Sequence, residues 1–236
     1  MILLGFAFFV GFLITSLFGN GGAIIAYAIL AGFMDIKSII LTNMYAGAVA
    51  SVFVLLTDRK SVNLKVVKYA LKYAIFGLIA GVLAFKNIES KALILLYSVF
   101  VIFIGVNGVV RKNFKSSGFL SKVCLVFGGF AAGLFGIGGP AFSVGIATKV
   151  RNKAEMRSNL TVLFLVSNIF RAVAFFVINV DGLAEVAGRW WVVFPVFFGV
   201  MIGYFLHKRI SQKKFDIAGN WIILISGIFY FFNSLW

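Results

Sequence analysis

Ten apolar runs joined by short polar connections make up most of the chain: 2–18, 22–34, 38–57, 66–85, 91–110, 119–135, 137–149, 158–180, 188–206 and 217–235. Within each run the apolar residues follow one another without the alternation of a strand or the polar stripe of a surface helix. The pattern therefore predicts helices with apolar surroundings on every side. Eight runs are 17 to 23 residues long, enough for a helix to cross a hydrocarbon core of about 30 Å. The other two, 22–34 and 137–149, have thirteen residues each and reach only about 20 Å as helix. Both follow a glycine tripeptide, in GNGGA at 19–23 and GIGGP at 136–140. Each short run is expected to be half of a broken or re-entrant pair.

The five-run pattern occurs twice. Gly19, Gly21 and Gly22 match Gly136, Gly138 and Gly139 at an offset of 117, and Thr42-Asn43 matches Ser158-Asn159 at 116, as Ser51 does Ser167. Gly77 and Gly81 match Gly199 and Gly203 at 122, as Gly105 does Gly227. The expected domains are an N-terminal repeat, 1–112, a basic linker, 113–117, and a C-terminal repeat, 118–236. Five runs per repeat is an odd number, so the second copy starts from the opposite face. The fold class expected is all-α integral membrane, with two inverted-topology repeats, each a broken or re-entrant helix pair plus three transmembrane helices. Transporters built this way hold substrate near the bilayer midplane, where broken helices meet.

Composition agrees: 62% of residues are hydrophobic and 12% charged, against about 25% charged in soluble domains. A net charge of +15 would admit a nucleic-acid partner, but seventeen of the 22 Lys and Arg residues fall on one side of the predicted topology. That side is expected to be cytoplasmic, with both termini outside a multi-pass protein of the plasma membrane. The charge is then explained by topology and no nucleic acid is expected. Residues 2–18 lack a basic leader and are read as part of the mature protein. Cys124 is the single cysteine and His207 the single histidine, which excludes a disulfide framework and gives no metal cluster or cofactor site.

A helix that stops at membrane depth leaves backbone N–H and C=O groups that need a polar cavity or a protein partner. Glycine permits the break, Pro140 suits a helix start, and the exposed N–H groups favour an anion. Glycines that serve only close packing are the alternative. For Gly77/Gly81 and Gly199/Gly203 packing is the expected role. Arg171 lies inside run 158–180, where a cation is costly. No acidic residue occurs inside any run, so a bound anion is its expected partner; snorkelling to an interface is the alternative. Asn168 shares its helix face, while Leu55 stands where a first-repeat counterpart of Arg171 would fall. The candidate substrate-binding residues are Asn20, Gly21, Gly22, Thr42, Asn43, Gly138, Gly139, Pro140, Ser158, Asn159, Asn168 and Arg171.

GLFGIGGP at 133–140, its echo SLFGNGGA at 16–23, and the RSNL and LTNM segments that follow resemble the sulfite exporter TauE/SafE-like family of membrane permeases. The resemblance covers essentially the whole chain. It departs at Asn20 and at Ala23, where the first copy lacks a further glycine. It implies a permease for sulfite, organosulfonates or other small anions, with a proton or sodium ion as a coupling partner and a homo-oligomer compatible with the sequence. An anion channel sharing the site is a rival expectation. An integral-membrane enzyme or scaffold is a weaker one, because the runs contain no Asp, Glu or His to supply acid–base groups at depth.

Overall fold

The computed structural model describes residues 1–18, 21–30, 32–110, 118–207, 221, 224–225 and 227–232. The 113–117 linker, Asn20 and the basic stretch 208–214 lie outside the described residues. The helices of the described residues include, in chain order, α1 (Ile2–Phe18), α2 (Gly22–Leu30), α3 (Ile36–Asp58), α4 (Leu64–Asn87), α5 (Ser90–Val110), α6 (Gly118–Phe135), α7 (Gly139–Ile146), α8 (Lys153–Val177), α9 (Leu183–Ala187) and α10 (Val193–His207). Among the described residues four helices are long and apolar enough to span a membrane: Ile36–Thr57, Leu64–Asn87, Gly118–Phe135 and Ala154–Val177. They share the outward apolar surface that lipid demands; on α4, Phe76, Ile79 and Leu83 are exposed.

The two short helices begin at the glycine tripeptides, as expected, but are shorter than the apolar runs. α2 has nine residues and α7 eight, roughly 12–14 Å. Left-handed backbone at Gly21 (φ 86°) and Gly136 (φ 74°) makes the two breaks, a conformation that costs glycine nothing. Pro140 sits in the first turn of α7. α8 starts five residues before its apolar run. Asn152 caps it by accepting the Glu155 N–H at 2.9 Å, so the charged residues 153–157 join the helix instead of ending it.

Contacts divide the chain into two compact units that interleave the sequence repeats. One comprises Met1–Ile40, Ile88–Asn113 and Trp191–Trp236; the other comprises Leu41–Asn87 and Phe114–Trp190.

In the first unit α1 packs on α10 and on α2. A Cβ at Gly199 would lie 2.5 Å from the Phe9 carbonyl, and one at Gly203 2.6 Å from that of Leu13. Ser16 Oγ donates to the Val200 carbonyl at 2.9 Å. Tyr27, Tyr97 and Tyr230 form a buried ring cluster with centroids 5.6 and 5.0 Å apart, tied by the Tyr230 hydroxyl donating to the Tyr27 carbonyl. Gly105 meets Leu224 and Gly227 meets Ile102, a reciprocal contact at the repeat offset of 122.

In the second unit α4 packs on α6, α6 on α7, and α8 on α4, α6 and α7. Cβ atoms at Gly77 and Gly81 would collide with the carbonyls of Val126 and Phe130. Those are the residues 117 positions after Phe9 and Leu13, so the same kind of glycine seat occurs in both units. The core beneath it holds Ala70, Leu78, Leu125, Phe142, Leu160 and Leu163. Charge gathers at one end: Lys149 Nζ lies 4.1 Å from the Tyr69 ring centroid, and Lys122 5.7 Å from that of Tyr73.

Candidate functional site

Nine of the twelve candidate residues belong to the second unit: Thr42, Asn43, Gly138, Gly139, Pro140, Ser158, Asn159, Asn168 and Arg171. Gly21 and Gly22 belong to the first, and Asn20 is outside the described residues.

Arg171 is the largest fully buried side chain in the described structure, at 0% exposure. A snorkelling arginine would expose its guanidinium; this one is enclosed. Its Nη1 donates to Asn168 Oδ1 at 3.4 Å, and its guanidinium carbon lies 5.3 Å from the Phe175 ring centroid, within cation–π range. Phe175 in turn stacks on Phe85 of α4 at 4.8 Å. On α3, Gly47 is the residue that meets this cluster: a Cβ there would stand 2.8 Å from Asn168 Nδ2.

Thr42 and Asn43 are also buried, at 0% and 3% exposure. Asn43 Oδ1 is buried with no hydrogen-bond partner. Thr42 Oγ1 accepts from Arg189 Nη1 at 3.2 Å. Arg189 follows α9, while Asn168 and Arg171 stand one helical turn apart on α8 and form one polar level there.

Ser158 and Asn159 form a second level. Asn159 is twelve residues from Arg171 on α8, about 18 Å along the axis, too far for one small anion to touch both. At this lower level Asn63 binds α8 twice. Its main-chain N–H donates to Asn159 Oδ1 at 2.8 Å and its Nδ2 to Glu155 Oε1 at 2.7 Å. Glu155 Oε2 accepts the Arg151 N–H at 2.8 Å. Asn159 Nδ2 is a buried donor with no hydrogen-bond partner. Glu155, 7% exposed, is a buried carboxylate in the first turn of α8; the apolar runs excluded it because they began at Ser158. The signal was present as Asn152 followed three residues later by Glu155, the spacing of an N-terminal cap.

The glycine tips serve packing in both units. A Cβ at Gly138 would lie 2.5 Å from the Gly128 carbonyl, and one at Gly11 2.7 Å from the Gly22 carbonyl, so each short helix folds back on the helix before it. The same geometry leaves the first N–H groups of α7, those of Gly139 and Ala141, without an intrahelical acceptor. α7 packs on α8 and joins it through residues 147–152. Among the described residues no group of three His, Cys, Asp or Glu side chains could hold a metal.

A family model described as Sulfite exporter TauE/SafE matches residues 3–230. The chain belongs to the TauE/SafE family. Searches of curated proteins and of solved structures returned no match. TauE/SafE membership implies a multi-pass membrane permease or exporter for sulfur-related anions, since the members of this family are transporters. In that light the level at Asn168 and Arg171 combines the features an anion site needs: a fixed positive charge, neutral amides and exclusion from solvent.

Proposed function

We propose that this TauE/SafE permease is a secondary transporter for sulfite or a small organosulfonate, working by alternating access between two inverted repeats. The carrying observation is Arg171, fully enclosed in the largely apolar C-terminal half of α8 and held by Asn168. A guanidinium at that depth is stabilised best by an anion that arrives and leaves. Asn168 supplies hydrogen bonds at its level. The tip at Gly138–Pro140 supplies backbone dipoles, and Ser158 and Asn159 form a second station on the path. The reciprocal contacts at Gly105 and Gly227, and the kind of glycine seat that occurs in both units, support a two-fold relation between the repeats. An inverted pair places the basic end of the second unit in the cytoplasm and both termini outside, in the plasma membrane.

Sulfite uptake into proteoliposomes tests the reading. Arg171→Gln is expected to abolish saturable uptake while the protein remains folded, and Arg171→Lys to keep part of it. Wild-type uptake rates in Arg171→Gln would remove the residue from the mechanism. Large unitary currents in planar bilayers would convert the carrier into a channel.

A further inference from the structure

Three lysines from three segments of the second unit converge on two tyrosines. Tyr69 and Tyr73, one turn apart on α4, meet edge to face with ring centroids 5.2 Å apart. Lys149, in the connection between α7 and α8, lies 4.1 Å from the Tyr69 centroid. Lys122 of α6 and Lys72 of α4 lie 5.7 and 5.9 Å from that of Tyr73. The lysines are exposed and the tyrosines half-buried. Beneath them Ser121 Oγ donates to the Gly145 carbonyl, and the Tyr69 hydroxyl stands 3.4 Å from Ser121 Oγ, which ties α4, α6 and α7 together. Among the described residues no carboxylate pairs with any of the three lysines. The ring faces attract ammonium groups, but a ring quadrupole carries no net charge. Three like charges are therefore gathered without a counter-charge.

The surface beyond the cluster is apolar. Lys72, Phe76, Ile79 and Leu83 recur at the spacing of one helical stripe, and the last three are exposed. Beside them α6 runs in the same direction as α4: Tyr73 meets Lys122, Gly77 meets Val126 and Gly81 meets Phe130. From Lys72 to Leu83 the stripe covers about 16 Å, the depth of one leaflet of a hydrocarbon core of about 30 Å. We infer that Lys72, Lys122 and Lys149 hold the phosphate of an anionic phospholipid, with its acyl chains along the Phe76–Leu83 stripe. The phosphate supplies the missing counter-charge, and tyrosines at headgroup depth are usual. A free anion would satisfy the lysines and leave the stripe uncovered. The inference depends neither on the substrate nor on the Arg171 level.

The test is the apparent Tm of the purified full chain in detergent, titrated with phosphatidylglycerol, phosphatidylcholine or inorganic phosphate. Wild-type protein should show a saturating rise with phosphatidylglycerol alone. Lys72→Gln/Lys122→Gln should need at least tenfold more phosphatidylglycerol for half the rise, and Lys72→Arg/Lys122→Arg should stay near wild type. Lys60→Gln/Lys65→Gln removes the same charge from exposed residues outside the cluster and should shift the midpoint less than twofold. Arg171→Gln should respond as wild type does. Equal shifts in the two glutamine pairs would show attraction to overall charge and overturn the site. So would an unshifted Lys72→Gln/Lys122→Gln. A matching rise with inorganic phosphate would replace the lipid with a free anion, and loss of the response in Arg171→Gln would move the binding away from the lysines; either result overturns the inference.

Discussion

Gly199 and Gly203 seat α10 on α1 through the carbonyls of Phe9 and Leu13; Gly77 and Gly81 seat α4 on α6 through those of Val126 and Phe130. The packing is the same and the residues correspond at fixed offsets. What surrounds the two seats differs. Among the described residues of the unit that holds α1 and α10, the buried polar groups are two serines, each bonded to a main-chain carbonyl, and a tyrosine cluster. The unit that holds α4 and α6 also holds a buried arginine, two buried asparagines each with an unpaired amide atom, and a buried carboxylate. A glycine seat tolerates no side chain, so the packing positions are alike in the two units, while the buried polar residues around them are not.

The largest expected effect breaks the shared part of this comparison. Gly77→Val and Gly199→Val each drive a side chain into a neighbouring main chain, at a cost of about 3 kcal/mol or more. Both should eliminate the monodisperse peak in detergent chromatography; a well-folded Gly199→Val would show that the two seats are not equivalent. Next is Asn63→Ala, which has no counterpart in the first unit. It removes a donor from the buried Glu155 carboxylate, worth about 2 kcal/mol for a hydrogen bond to a charged group, and thermal unfolding in detergent should show the loss. Smallest is Ser16→Ala. One neutral bond to the Val200 carbonyl contributes about 1 kcal/mol, so apparent Tm should fall slightly with sulfite uptake unchanged. A large fall in uptake would place unsuspected chemistry in the first unit.

The helices and their glycine breaks were legible in the sequence because lipid requires long apolar runs and a buried break requires glycine. Helix ends were less so. α2 stops at Leu30 and α7 at Ile146 although the predicted runs continue to 34 and 149, since hydropathy does not set where a helix ends. α8 begins earlier than its run because a cap, not hydropathy, sets its start. Arg171 and Asn168 announced themselves as polar residues one helical turn apart in an apolar stretch. Their separation from Asn159 follows from helical rise alone, yet the three look like one site until the axis is measured. Arg189 reads as a topological loop charge; its bond to Thr42 spans 147 positions and depends on tertiary packing that no local pattern encodes. The same holds for the choice of partner helix at each glycine seat.

The account stands on a small anion binding at the Arg171 level, and sulfite-dependent stability of the purified protein measures that without requiring transport. A ligand that prefers the folded state at about 100 times its Kd adds roughly 2.7 kcal/mol of apparent stability. Wild-type protein should therefore show a Tm that climbs with sulfite concentration and saturates, while Arg171→Gln should show a Tm indifferent to sulfite. An equal, saturating rise in Arg171→Gln would contradict the account.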